Sequence, residues 1–249
     1  MTELGKVLAE GKTKVVYAHP YHSAQSYLMH KDNLSAGDGA RRNVLEGKGI
    51  QACRTTSNVF SLLEGKGIET HFVSMVSESI TLVRHCRMIP LEVVMRRIAT
   101  GSYLRRHPDT EEGARFDPVL VELFLKDDAR HDPFMTPDEV VAAGIATGDE
   151  VRQMAATGRR VFEALEEAWA EQDVVLVDCK IEYGRDAEGQ LLVADVIDND
   201  SWRLWPGGDK ARMLDKQVYR DMPEVTDEGL AGLLERYQEV ARRTDSWRS

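Results

Sequence analysis

In the first ninety positions of the chain, apolar residues occur mainly as short runs that turn residues interrupt. The runs lie at residues 15–17, 26–29, 71–76, 80–83 and 88–95. Such short runs, rich in β-branched and aromatic residues, are typical of β-strands. Pro90 in the last run indicates an edge position or a bulge, because proline donates no hydrogen bond to a neighbouring strand. This part of the chain is therefore predicted to be rich in strands.

Helices are predicted where the apolar spacing changes to three or four residues. One lies between residues 50 and 63, and Gly65 would end it. Capping boxes that begin at Thr136 and Thr147 start two more, and a closing helix is predicted from residue 226 to about 242. Strands return at residues 173–183 and 191–197. Strands at both ends with helices between them predict an α+β protein with a site between two lobes.

One hexamer, LEGKGI, occurs twice, at residues 45–50 and 63–68. Two copies with different flanking sequences exclude a solenoid, which needs several similar units. Glycine at equivalent positions on either side of a predicted helix indicates that both copies mark the ends of that helix.

Composition and charge exclude several classes of protein. The 249 residues carry a formal charge of −10, which counts against a general nucleic-acid binder. The three cysteines lie far apart with no metal-ligand spacing, so a reducing compartment fits better than a disulfide framework or a zinc site. The N-terminus lacks the apolar core of a signal peptide, and no run approaches the roughly 18 apolar residues of a membrane span. We therefore expect a cytoplasmic protein that binds neither nucleic acid nor membrane.

A glycine- and lysine-rich segment at residues 5–13 nearly matches the Walker pattern of phosphate-binding loops. It has one residue too many between the glycines, and a strand follows it where a P-loop requires a helix. What remains is a strand, a glycine turn and a second strand, with Lys12 and Lys14 on one face. Two interpretations stay open at this point: a flap over the phosphates of a nucleotide, or a surface hairpin with solvated lysines.

Charged and apolar residues alternate along the predicted strand at 173–183 and place Asp178, Lys180 and Glu182 on one face. If a hairpin follows, its turn pairs Lys180 with Asp195 and Glu182 with Val193, so that Asp195 lies diagonal to Glu182. Two carboxylates and a lysine on one face suit Mg²⁺ and the phosphates of ATP. They equally suit an exposed antiparallel face with cross-strand ion pairs, and a register shift of one residue would break the geometry.

Three polar segments have the composition of anion-binding loops. They lie at residues 35–39, 96–102 and 198–203. The first combines a hydroxyl, a carboxylate and glycine turns, and the other two add arginine. Guanidinium groups, hydroxyls and free backbone amides are the donors that bind phosphate. Each segment alone is more often a capped turn or a solvated loop, and it is their number that favours a site.

Six segments in order resemble successive motifs of the SAICAR synthetases, the phosphoribosylaminoimidazole-succinocarboxamide synthases. The segments are EGKTKVVY, SAGDGARRN, MIPLEVVMRRIATGS, LFLKDDARHDP, VDCKIEYG and ADVIDNDSWRLWP. The resemblance covers roughly residues 7–222, and ordered agreement of several motifs is far more specific than one match. RRIATGS and ADVIDNDSWRLWP are most similar to the synthetase half of the bifunctional animal-type enzyme, whereas SAGDGA follows the bacterial form.

The resemblance implies a two-lobed α+β fold, similar to kinases or ATP-grasp proteins, with antiparallel sheets and ATP between the lobes. The first lobe would be a strand-rich, ATP-binding unit at residues 1–95, and the second would hold the metal and substrate sites at 96–249. It also implies a ligase that joins carboxyaminoimidazole ribonucleotide (CAIR) to L-aspartate with ATP and Mg²⁺, through an acyl phosphate. The matched motifs occupy most of the chain, so we expect the synthetase without a carboxylase domain, as a monomer or homodimer.

Roles for individual residues follow from the same resemblance. The nucleotide would contact Gly11, Lys12, Lys14, Met88, Glu92 and Lys180, and magnesium would bind Glu182 and Asp195. The ribonucleotide would contact Ser35, Asp38, Arg96, Ser102 and Arg203. Lys12, Lys180 and Asp200 would act in catalysis, and the candidates for binding L-aspartate are Lys126, Asp128 and His131.

Two other functions fit part of this pattern. A small-molecule kinase would use the same ATP site and the same arginines for a phosphate. A nucleotide sensor without catalysis would be expected to lack one of the metal carboxylates, yet Glu182 and Asp195 are both present. Because all three proposed substrates are anions, we also expect a basic cleft formed by Lys12, Lys14, Arg96, Lys180 and Arg203.

Overall fold

Two antiparallel sheets dominate residues 2–36 and 40–247, the residues that the computed structural model of the chain describes. The first sheet has the strand order β1-β2-β3-β7-β6. Its strands are Val7–Glu10 (β1), Lys14–Ala18 (β2), Gln25–His30 (β3), Phe72–Ser77 (β6) and Ile80–Arg84 (β7). The strands predicted at 15–17, 26–29, 71–76 and 80–83 are therefore confirmed, each to within a few residues.

The second sheet has the order β10-β9-β8-β11-β12, and β13 also pairs with β11. Its strands are Arg87–Ile98 (β8), Arg115–Leu125 (β9), Phe134–Met135 (β10), Val174–Arg185 (β11), Leu191–Ala194 (β12) and Trp202–Pro206 (β13). A separate hairpin consists of Asn33–Ala36 (β4) and Arg41–Val44 (β5). The strands β4, β5, β9, β10 and β13 lie outside the predicted runs, and β12 ends three residues earlier than expected.

The helices agree closely with the sequence pattern. They are Lys48–Gly65 (α1), Ser102–Arg106 (α2), Pro137–Ala142 (α3), Gly148–Ala170 (α4), Gln217–Asp221 (α5) and Asp227–Thr244 (α6). Both predicted capping boxes are present at the starts of α3 and α4. The two LEGKGI segments lie at the two ends of α1, where Gly47 has a φ of 86° and Gly67 a φ of 68°. Their interpretation as helix-end signals is confirmed.

The main core lies between the second sheet and the helices α1 and α4. Met154, Phe162 and Trp169 of α4 pack in the same apolar cluster as Ile181 and Tyr183 of β11. Because side chains alternate along a strand, Lys180 and Glu182 lie on the opposite face of β11. One face of the central strand therefore supports the core and leaves the other face free for polar groups.

One residue departs from this alternation. Val177 was expected on the core face with Cys179, but it packs in a separate cluster with Ile98 and Trp205. The pairing of β11 with β13 is irregular between Leu176 and Asp178, which shifts the alternation by one residue at that point.

The two sheets give the α+β fold its two lobes, and the cleft between them is described below. The predicted lobe boundary between residues 95 and 96 lies inside β8, whose two ends belong to the second sheet. Division of the chain at that point stays a prediction. Among the residues that the structure describes, no helix is long and apolar enough to cross a membrane.

Candidate functional site

Three adjoining cavities form one cleft between the β1–β2 hairpin and the second sheet, as far as residues 2–36 and 40–247 show. The central cavity, the apolar cavity and the arginine cavity have volumes of about 500, 260 and 410 Å³. Glu182 and Asp195 line both the central and the apolar cavity. Lys180 and Asp200 line both the central and the arginine cavity. The cleft is therefore continuous.

The turn of the β1–β2 hairpin, which contains the glycine- and lysine-rich segment, lines one side of the central cavity. The Gly11 amide donates to the Lys14 carbonyl at 2.9 Å and closes the turn between β1 and β2. Lys12 Nζ lies 2.7 Å from Asp128 Oδ1, and Lys14 Nζ pairs with Asp195. Because both lysines reach carboxylates that line the cleft, the hairpin is a flap over it and not a separate surface feature.

The register of the β11–β12 hairpin differs by one residue from the expected one. Glu182 pairs with Ala194, and Tyr183 pairs with Val193, so the predicted pairs of Lys180 with Asp195 and of Glu182 with Val193 are wrong. Asp195 nevertheless lines the cleft with Glu182, because it follows the end of β12 and has a φ of 68°. This left-handed turn re-aims a side chain that a continued strand would direct to the other face.

Glu182 and Asp195 are two buried carboxylates in contact with lysines. Lys126 Nζ lies 2.5 Å from Glu182 Oε2, and Lys14 pairs with Asp195. Burial and the negative charge of Asp195 raise the pKa of Glu182. Burial also disfavours the charged form of Asp195, but Lys14 and Lys126 outweigh it and hold the pKa of Asp195 well below its usual range.

This pair fits a hard divalent cation. Two carboxylates that share a buried space repel each other, and a cation between them removes that repulsion. Mg²⁺ is typically held by one or two carboxylates together with substrate phosphates and waters. The described part of the chain contains no cluster of three or more His, Cys, Asp or Glu side chains that would form a complete protein cage. Glu182 and Asp195 therefore suit a cation that a bound phosphate helps to hold.

The apolar cavity suits a flat, uncharged ring. Its lining includes Leu8, Val16, Leu28, Val83 and Met88. His71 also lines it, and its Nε2 lies 3.0 Å from the carbonyl oxygen of Asp195. Burial lowers the pKa of His71 to about 4, so the ring is neutral at pH 7. Met88 was among the predicted residues, but His71, which directly precedes β6, carries no motif that marks it.

Glu92, predicted together with Met88 as a contact of the nucleotide, does not line the apolar cavity. It lines the central and arginine cavities, and its Oε1 accepts a hydrogen bond from Lys180 Nζ at 2.7 Å. Burial disfavours the Lys180 ammonium, but the carboxylates of Glu92 and Glu182 outweigh it and raise the pKa of Lys180. Lys180 is therefore a fixed cation on the polar face of β11, where the central cavity meets the arginine cavity.

The arginine cavity brings together the predicted residues Arg96, Ser102 and Arg203. All three nitrogen atoms of the buried Arg96 guanidinium are engaged: Nε with Glu122 at 2.6 Å, Nη1 with Asp178 at 2.8 Å and Nη2 with the Ser102 hydroxyl at 3.1 Å. Arg203 pairs with the same oxygen of Asp178. The two carboxylates thus hold the guanidinium groups in place before any ligand binds.

Asp200 lies where the central and arginine cavities meet. Its Oδ2 accepts a hydrogen bond from Lys216 Nζ at 2.9 Å and lies 3.6 Å from Lys48 Nζ. Its Oδ1 accepts one from the Tyr237 hydroxyl. Burial disfavours the charged carboxylate, but the two lysines and this hydroxyl hold the pKa of Asp200 well below its usual range. None of the three partners was predicted: Lys48 lies in the first LEGKGI segment, which was interpreted as a helix end, and Lys216 and Tyr237 lie in segments without a recognised motif.

The remaining predicted residues are only partly brought together. Ser35, Lys126 and Asp128 line the central cavity. His131 instead lines a neighbouring cavity of about 370 Å³ with Phe134. Asp38 lies outside the described residues.

The cleft as a whole is basic, as expected from its ligands, although its central cavity is balanced. Ten lysines or arginines and seven carboxylates line the three cavities, counted over the described residues. The central cavity alone has six of each. Lys12, Lys14, Lys126, Lys180 and Lys216 each contact a carboxylate. The predicted cations are therefore present, and most of the unbalanced positive charge lies at the arginines outside the central cavity.

Comparisons with known proteins place the chain in one family. The sequence profile of the SAICAR synthetase family matches residues 7–237. The chain is 66% identical over 244 residues to a phosphoribosylaminoimidazole-succinocarboxamide synthase of Roseiflexus sp. (strain RS-1), with 98% of each chain covered. It is 45% identical over 252 residues to a bifunctional carboxylase and succinocarboxamide synthetase of Mus musculus, covering 98% of this chain and 59% of the mouse protein. It also resembles a solved structure described as SAICAR synthetase (Type-2) in complex with ADP, with a TM-score of 0.86, 32% identity, and coverage of 97% of this chain and 98% of the other.

Proposed function

The chain belongs to the SAICAR synthetase family of purine-biosynthesis ligases, and we propose that it joins CAIR to L-aspartate while ATP is converted to ADP and phosphate. It is an enzyme of the ATP-dependent ligase class. The observation that best supports the particular reaction is the continuous cleft. It joins an apolar cavity, two buried carboxylates among lysines and a pair of fixed arginines.

Each part of the cleft suits one part of the substrates. The adenine ring would lie in the apolar cavity near Met88, and the ATP phosphates would lie below the hairpin near Gly11, Lys12 and Lys14. The ribonucleotide phosphate would lie in the arginine cavity, where Arg203 and Ser102 offer donors. Its imidazole carboxylate would then lie near Ser35 and, we propose, Asp38. Lys180 and Asp200 would lie where the two substrates meet. Lys126, Asp128 and His131 stay candidates for L-aspartate.

Glu182 and Asp195 would hold Mg²⁺ beside the ATP phosphates. When bound, the cation neutralises negative charge on the phosphoryl group that is transferred. The lysines of this chain add to that effect, since Lys14 and Lys180 remain protonated in the cleft. The protein contributes mainly orientation and fixed charge.

The chemistry requires activation of a carboxylate, which is a poor acyl donor because oxide is a poor leaving group. A CAIR carboxylate oxygen attacks the γ-phosphorus of ATP, and the bond from that phosphorus to ADP breaks. The amine of L-aspartate, after losing a proton, attacks the acyl carbon, and phosphate leaves with the oxygen that the carboxylate supplied. Asp200 is a weak proton acceptor because its pKa is lowered, so we assign it a role in holding polar groups.

The test is ADP release measured with ATP and Mg²⁺ while CAIR and L-aspartate are omitted in turn. We expect ADP release only with both present, and a product whose mass is that of the amide. Sustained ADP release without L-aspartate would contradict the proposal. A phosphate ester of the ribonucleotide as product would favour the small-molecule kinase instead.

The acyl phosphate has its own test. CAIR labelled with ¹⁸O in the carboxylate should transfer one labelled oxygen to the phosphate that is released, because that oxygen leaves with phosphorus. Unlabelled phosphate from the same reaction would show that the carboxylate is activated in another way. CAIR labelled only in its ribose hydroxyls is the control and should give unlabelled phosphate.

A further inference from the structure

Tyr237 is a fully buried tyrosine of α6. Its ring lies among apolar side chains, but its hydroxyl contacts a polar group outside that cluster. Its ring packs in a small cluster with Leu34, Leu45, Tyr219 and Leu233, and this packing accounts for the ring. The hydroxyl instead donates a hydrogen bond to Asp200, which lines the cleft. A buried hydroxyl requires a partner, but nothing in the packing requires that partner to be a group of the site.

The contacts of Asp200 divide its two oxygen atoms between different partners. The Tyr237 hydroxyl binds Oδ1, and Lys216 Nζ binds Oδ2 at 2.9 Å. The backbone amide of Asp200 also donates to Asp198 Oδ1 at 2.8 Å. Partners on both oxygens restrain the plane of a carboxylate, so removal of the partner on Oδ1 weakens that restraint while Oδ2 keeps its contacts.

The protonation states keep these roles constant. Burial raises the pKa of Tyr237 well above its ordinary value, and the nearby carboxylate of Asp200 raises it further. The hydroxyl is therefore always a donor near neutral pH. Lys48 Nζ lies 5.4 Å from the centre of the Tyr237 ring and 3.6 Å from Asp200 Oδ2, so it supports the charge of Asp200 at the other oxygen.

We propose that Tyr237 is a positioning residue for the ligase reaction and that it acts through Asp200. Its hydroxyl orients the carboxylate so that Oδ2 holds the Lys216 ammonium where the central and arginine cavities meet. This inference rests on the proposed function. Burial lowers the pKa of Lys216, and the contact with Asp200 counteracts that effect. Correct orientation of Asp200 thus sets both the place and the charge of a cation that lines the central cavity.

The test is Tyr237→Phe, which keeps the ring and removes one oxygen atom. We expect kcat for ADP release to fall about tenfold, while KM for ATP changes by less than about twofold, because ground-state binding in the apolar cavity is unaffected. Thermal unfolding of the variant shows whether the fold is retained.

The matched control is Tyr219→Phe. Tyr219 is a fully buried tyrosine of the same apolar cluster, and its hydroxyl donates to Asn43 Oδ1 at 2.7 Å instead of to a group that lines the cleft. This variant loses a comparable tyrosine hydrogen bond, so it measures how far the loss of such a bond in this cluster changes kcat by itself. We expect its kcat to equal that of the wild type.

A second measurement separates positioning from a general structural effect. In the background of Asp200→Asn, removal of the Tyr237 hydroxyl should change kcat by less than about twofold, because the charged group through which it acts is already gone. An equal tenfold loss in that background would overturn the inference, as would a wild-type kcat in Tyr237→Phe. A wild-type enzyme that releases no ADP in the presence of L-aspartate would instead overturn the proposed function, and the positioning role with it.

Discussion

Gly101 provides the space in which the arginine cavity forms. Its φ is 58°, and a Cβ at this position would lie 2.6 Å from Nη2 of Arg203. Glycine adopts this conformation without strain, whereas other residues rarely do. The guanidinium of Arg203, which also pairs with Asp178, therefore rests directly against backbone.

Gly101→Ala is expected to displace Arg203 and to raise KM for the ribonucleotide about tenfold, since the proposed charge-assisted contact of Arg203 with its phosphate would be lost. Steady-state kinetics with varied CAIR measures this. Gly113→Ala is the matched control, because Gly113 has a φ of 93° but no described atom within 4 Å of the added Cβ. Both variants carry backbone strain, and an equal KM in the two would contradict the role of Gly101.

At the level of single residues, the sequence predicted correctly which charged side chains line the cleft when these lie in a strand or a glycine turn. Lys12, Lys14, Lys180 and Glu182 line the cleft as expected, because charges in a predicted strand or glycine turn indicate a polar face. Prediction failed where the backbone departs from regular geometry. The side chain of Asp195 lies beside Glu182 only because Asp195 adopts a left-handed conformation. Strand register does not predict such a conformation, so the pairing argument could not find it.

The helix α4 supports the cleft from behind without contributing a side chain to the described lining of its three cavities. Its capping box consists of Thr147 and Glu150, and Glu150 Oε1 also lies 2.5 Å from Arg185 at the end of β11. Its buried face packs against the strand that carries Lys180 and Glu182. The helix therefore affects the site only through the stability of that strand.

Thr147→Ala should lower the free energy of unfolding by about 1 kcal/mol, because one backbone amide of the first turn loses its acceptor. Urea denaturation measures the change, and kcat and KM should remain at wild-type values at 25 °C. Thr147→Ser retains the capping hydroxyl and should be as stable as the wild type. A changed KM for either substrate in Thr147→Ala would show that α4 does more than support the sheet.

Element prediction was accurate for helices and incomplete for strands. The capping boxes and helical spacing identify α1, α3, α4 and α6 almost to the residue, since these signals are local. The strand β9, RFDPVLVELFL, was not predicted although six of its last seven residues are apolar, and it pairs with β8 and β10. A short apolar run of this kind fits a buried strand and a buried helical segment equally, so periodicity alone does not assign it.

At the scale of the whole molecule, the acidic chain holds a basic cleft whose central cavity is balanced in charge. Lys14 and Lys126, the lysines nearest the two buried carboxylates, are paired with Asp195 and Glu182. A divalent cation at these carboxylates would release both lysines to contact phosphate. Binding of the cation and binding of the nucleotide should therefore strengthen each other by the same factor.

Calorimetry with ATP should show binding at least about tenfold tighter with Mg²⁺ than without it, which corresponds to a coupling of roughly 1.4 kcal/mol. In Asp195→Asn this coupling should largely disappear while the fold is retained, because one carboxylate is lost and Lys14 is already released. Asp149→Asn, at an exposed position of α4, is the control and should behave as the wild type. Equal ATP affinity with and without Mg²⁺ in the wild type would contradict the release of Lys14 and Lys126 from the carboxylates to the phosphates.

The three groups that hold Asp200 also determine when the site can exist during synthesis. Lys48 is made early, Lys216 much later and Tyr237 later still, and all three meet only after α6 has docked. Both sheets are complete by Pro206, but Val240 and Trp247 of the main core are made only after that point. Asp200 therefore gains its full set of partners only once α6 has been made, at the same stage at which the main core is completed.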